Sequence, residues 1–178
     1  MADLRGFSQN VFMRIKITKG SDRDFIEAHR YDGSIVTANF PKKGWFPHDA
    51  VHFVVESELQ YEAGFWGRVA SGSHPEEIGA LAAAGGHRSS SRAEKPSDGI
   101  VELVQAERIV ECFEAEMWSE PSDLTTFRGV LDAACSHSKV RSPILSEQNI
   151  RNIREELSRL LIEWGELPVG KSLELAWF

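Results

Sequence analysis

From residue 12 the chain alternates. Phe12, Arg14, Lys16 and Thr18 interleave with Met13, Ile15 and Ile17, the period-two pattern of a strand with one buried face. After a Gly20-Ser21-Asp22 turn, Phe25 to Arg30 and Ser34 to Phe40 form two further runs, separated by Tyr31-Asp32-Gly33. Asp-Gly between such runs predicts a hairpin. The three runs predict an antiparallel meander, ended by Pro41 and Gly44. A last alternation, Ser172 to Phe178, predicts a C-terminal strand, and such a strand needs a sheet edge to pair with.

Between Pro47 and Gly165 the period changes to that of helices, in about five pieces. The first runs from Pro47, a residue tolerated in an opening turn, to Gly64 as C-cap. The second has Ser73 and Glu76 spaced as a capping box and ends at Gly85-Gly86. A long third helix starts at Ser97 or Asp98 and repeats apolar residues at Ile100, Leu103, Val104, Val110, Phe113 and Met117. A fourth follows Pro121-Ser122-Asp123, with Leu124, Phe127, Leu131 and Ala134 on one face. Ser146 caps the fifth, whose stripe is Ile150, Ile153, Leu157, Leu160, Leu161 and Trp164. The fold class is therefore α+β, with about five helices covering one face of a small antiparallel sheet, in one domain over residues 1–178. The segment 85–98 has no large apolar residue and predicts a flexible surface loop.

Composition narrows the function. Twenty Lys and Arg against 27 Asp and Glu give a net charge of −7, with 42% hydrophobic residues. A chain of this length buries about 70% of its extended surface without help from metals or disulfides. Its acidity argues against nucleic acid as a partner. No apolar run approaches the roughly 20 residues that span a bilayer, and the first residues carry no signal-peptide stretch. Cys112 and Cys135 sit in apolar helical patterns, as buried thiols of a cytoplasmic protein do.

The helix from Pro47 carries the candidate chemistry. Ala50, Val51, Phe53, Val54, Val55 and Leu59 cover more than half of it, so it is mostly buried. The remaining arc holds His48, Asp49, His52, Glu56 and Gln60. His48, His52 and Glu56 are each four apart and stack on one face. Imidazole and carboxylate at that spacing are ligands for zinc, iron or manganese. In the long helix Glu107, Glu111 and Glu114 fall among apolar residues, where carboxylates are costly unless paired, protonated or bound to a cation. Glu107 and Glu111 are expected to complete a site with His48, His52 and Glu56. The competing expectation is a water-facing polar stripe, with the glutamates paired to Arg108, Arg151 or Arg154. Trp45, Phe46, Phe65 and Trp66 bracket the helix and are expected in the core.

His48-Asp49 superficially resembles the centre of the HD-domain phosphohydrolase motif, but that family is helical on both sides and the segment before His48 reads as strands. HExxH, a phosphate-binding glycine loop and a nucleophile elbow are absent. The stretch Phe46-Pro47-His48-Asp49 through His52-Phe53-Val54-Val55-Glu56, with Gly64-Phe65-Trp66-Gly67, resembles one in small bacterial proteins of no characterised activity. That resemblance implies a bacterial cytoplasmic protein and no reaction.

Two functional readings follow. The first is a binding or self-assembling module, using a strand edge or an apolar helix face. The second is a metal-dependent enzyme of hydrolase type, with His48 and His52 as ligands and Glu56 as third ligand or catalytic base. The sequence favours the first, because no recognised spacing supplies further ligands.

Overall fold

The computed structural model describes residues 12–42, 44–83 and 96–178. Four strands, β1 (Met13–Thr18), β2 (Arg23–His29), β3 (Ile35–Pro41) and β4 (Ser172–Trp177), form one antiparallel sheet in the order β3-β2-β1-β4. The expected edge pairing is present: β4 lies on β1, with Ile15 opposite Leu175 and Ile17 opposite Leu173. The hairpin between β2 and β3 turns at Gly33, whose φ of +84° suits a residue without a Cβ.

Every second residue of each strand faces inward. Met13, Ile15, Ile17, Ile26, Ala28, Val36, Ala38, Leu173 and Leu175 are all buried, and the helices cover them. Those helices are α1 (His48–Leu59), α2 (Phe65–Ala70), α3 (Pro75–Ala82), α4 (Val101–Glu116), α5 (Leu124–His137) and α6 (Glu147–Glu166), with a 3-10 turn at Asp98–Ile100 before α4. Asp123 and Ser146 cap α5 and α6 through their side chains, as their positions predict.

Among the described residues six helices stand where the sequence predicts about five, because α2 forms between Gly64 and Ser73, where no element is predicted. α1 ends at Leu59, with Gln60 left-handed at φ 53° and Tyr61 N–H donating to Glu56 O at 2.9 Å. Gly64 does not cap its end; it precedes the first residue of α2. The cap of α3 is His74 rather than Ser73. Of the four bracketing aromatics, Phe46, Phe65 and Trp66 are in the core, whereas Trp45 is 48% exposed and meets Trp118 edge to face. Residues 84–95, most of the expected loop over 85–98, lie outside the described residues. Among the described residues no helix is long and apolar enough to cross a membrane.

Candidate metal centre

α1 packs against α2, α4 and α6, so the middle of the arc that lacks aliphatic side chains leaves water, while Gln60 at its end stays exposed. His52 is 3% exposed and Glu56 0%. The face that would be wet on an isolated amphipathic helix is an internal polar seam.

Glu107 is the centre of that seam. Its Oε2 lies 3.0 Å from His52 Nε2, and its Oε1 lies 3.6 Å from His48 Nε2. Each imidazole has its other nitrogen held by a different carboxylate: His52 Nδ1 is 2.9 Å from Glu56 Oε1, and His48 Nδ1 is 2.8 Å from Glu114 Oε1. The rings meet edge to face at 4.8 Å. Both ε nitrogens therefore converge on one carboxylate, while two outer carboxylates fix their orientation. Ligand atoms of His48, His52 and Glu107 all lie within 4.8 Å of one another.

The five expected site residues divide. His48, His52 and Glu107 come together as a triad. Glu56 is next to it but occupied: Oε1 accepts Phe65 N–H at 2.8 Å as well as His52, and Oε2 accepts Trp66 N–H at 2.8 Å. It orients His52 and closes the start of α2, so Glu107 takes the third-ligand place expected of Glu56, and no free oxygen remains for a base. Glu111 is absent from the group; its carboxylate pairs with Arg108 at 2.7 Å. Helical phase is the reason. From Glu107, a step of four residues overshoots the face by about 40°, whereas seven residues return within about 20°. Glu114 is seven on and Glu111 four. Of the expected arginine pairings, Arg108 with Glu111 forms, whereas Arg151 pairs with Glu147 and Arg154 binds Glu116, each at 2.7 Å.

The charges are mutually dependent. Burial is the largest influence on His52 and lowers its pKa, but hydrogen bonds and charge from Glu107 and Glu56 outweigh it and raise the value to about 10. His48 is likewise lowered by burial and raised on balance by Glu107 and Glu114. Burial raises Glu107, yet both histidines hold it well below the usual carboxylate range. Exchanging two imidazolium protons for one divalent cation leaves the charge of such a group unchanged.

His48, His52 and Glu107 also line a cavity of about 140 Å³. Phe40, Phe46, Phe65, Ile78 and Leu103 supply apolar wall, and Asp24 and Lys42 enter it from the sheet. Asp24 takes an inward position on β2 that its neighbours Ile26 and Ala28 fill with apolar side chains. It accepts Gly20 N–H at 3.0 Å and stands 3.6 Å from the Lys42 ammonium. A lone acidic residue in the inward register of Asp24, Ile26 and Ala28 is the sequence signal that marks it.

Comparison with known proteins adds no relative: no protein-family model, curated protein or solved structure matches this chain.

Proposed function

We propose that the chain binds one divalent transition-metal ion through His48, His52 and Glu107 and acts as a metal-dependent hydrolase on a small molecule. One observation carries this reading. Both histidines turn their ε nitrogens to a shared carboxylate while separate carboxylates hold their δ nitrogens, the arrangement that fixes tautomer and aim in protein metal sites. Two histidines and one carboxylate leave coordination positions open, as catalytic rather than structural sites do. A bound cation would lower the pKa of a coordinated water toward neutrality and supply the nucleophile. The pocket that reaches the triad gives a substrate access to it. The two buried free thiols, Cys112 and Cys135, accord with a bacterial cytoplasmic setting.

The test is elemental analysis of protein purified without a histidine tag, then reloaded with zinc, manganese or ferrous iron. About one equivalent per chain is expected, lost in His52→Ala. A protein that takes up none of the three ions under these conditions overturns the reading.

A second reading, a module that binds a protein partner or itself, is favoured by Trp45 and Trp118. They are 48% and 73% exposed and pair edge to face at 6.1 Å, and exposed tryptophans are frequent interface anchors. Sedimentation of wild type against Trp118→Ala tests it: a larger species lost in the variant supports self-association.

A further inference from the structure

Resting on the metal reading, we propose that the substrate has an apolar body of about benzene size, a metal-binding carbonyl-type head group and a hydrogen-bond donor directed at Asp24. Three observations lead there. The cavity is about 140 Å³, close to the roughly 150 Å³ at which an apolar protein cavity takes up benzene. Its walls are aromatic and aliphatic, so they reward an apolar body and leave the chain's polar atoms to choose orientation. Its polar groups come from two different parts of the fold: Asp49 with the His48, His52 and Glu107 triad on α1 and α4, and the Asp24–Lys42 pair on the sheet.

The second pair favours a particular group. Lys42 donates to Gly20 O at 2.7 Å and lies beside Asp24, so the two charges offset each other within the lining. A fully charged substituent would meet like charge from one of them. A hydroxyl or amide N–H meets an acceptor in Asp24 without that cost. Asp24 is 8% exposed, so a ligand contacting it is largely withdrawn from water. The sheet-side pair therefore acts as a specificity element, separate from the metal ligands and remote from them in sequence.

The test uses zinc-loaded protein and hydroxamate probes, with zinc content measured on every sample. Benzohydroxamate is expected to bind at least tenfold more tightly than acetohydroxamate, which has the head group and no body. Gly79 lines the pocket, and an added Cβ there meets nothing within 4 Å. Gly79→Leu should keep zinc and acetohydroxamate binding and lose the benzohydroxamate advantage. The 3- and 4-hydroxymethyl derivatives supply the donor, and the better of them should bind wild type several-fold more tightly than Asp24→Asn, with benzohydroxamate unaffected. Absence of zinc means the metal reading itself fails. Zinc bound at one equivalent with no preference for the phenyl ring, or a preference that survives Gly79→Leu, overturns the inference about the body. Equal binding of both hydroxymethyl probes to wild type and Asp24→Asn overturns the role of Asp24.

Discussion

Gly64 leaves empty the space that the Glu56 carboxylate fills: a Cβ built there would lie 2.6 Å from Glu56 Cδ and Oε2. That carboxylate is not free to retreat. It is fully buried, and its oxygens accept the amides of Phe65 and Trp66 as well as the His52 ring. Gly64→Ala must therefore break hydrogen bonds to buried groups, at about 1–3 kcal/mol. Urea denaturation should show a lower midpoint at unchanged slope. A midpoint equal to that of wild type would mean that α2 shifts as a unit and the close approach is slack.

The apolar arc of α1 makes a separate prediction. Val54 is 3% exposed and belongs to the main core. Val54→Asp buries a charge without a partner and should cost several kcal/mol, of the order seen for severe core variants. A melting temperature unchanged by this substitution would contradict the packing described for α1.

The sequence disclosed whatever depended on local periodicity. Ile15 and Ile17 alternate with Arg14 and Lys16, so the buried face of β1 is readable without any partner strand. Asp123 and Ser146 cap helices by local hydrogen bonds, which composition and spacing foretell. What escaped reading depended on contacts between distant segments. Four-residue spacing places His48, His52 and Glu56 together, yet only α4 packing against α1 decides that Glu107 stands between the rings. The choice between Glu111 and Glu114 was a matter of phase over two turns, where a wide apolar arc conceals which acidic residue faces the neighbour. α1 ends five residues before Gly64, because that glycine, an ordinary C-cap residue, makes room for Glu56 instead. Asp24 carries no distinct sequence signal beyond its inward register, because it sits near the start of β2, beside a turn in which acidic residues are unremarkable.

Three glutamates of α4 allow a graded test of the centre. Glu107→Gln should abolish stoichiometric metal binding, since both ε nitrogens approach the Glu107 carboxylate. Glu114→Gln should weaken it by about 10–100-fold, the usual effect of removing an orienting partner from a ligand histidine. Glu111→Gln should leave it unchanged, because Glu111 pairs with Arg108. Metal titrations of the three variants give the order directly. Equal losses at Glu111 and Glu107 would exclude the triad described.

The same groups predict opposite pH dependences with and without metal. In the metal-free protein His52 is raised to about 10 and His48 is raised as well. A raised imidazole stabilises the fold fully below its unfolded value near 6.5, and the contribution fades as pH climbs toward the folded value. Glu107, which is lowered, contributes above the ordinary carboxylate value and is lost as pH falls through its depressed one. Metal-free protein should thus be most stable between about pH 5 and 6.5 and should weaken steadily toward pH 10. Each kcal/mol lost should appear as about 2–4 °C in Tm for a chain of this size. Bound metal requires the imidazoles neutral, so the stabilisation it adds must grow as pH rises over the same interval. Calorimetric scans of chelator-treated and zinc-loaded samples should therefore diverge from pH 6.5 upward. Parallel curves would show that the added ion does not exchange with the His48 and His52 protons.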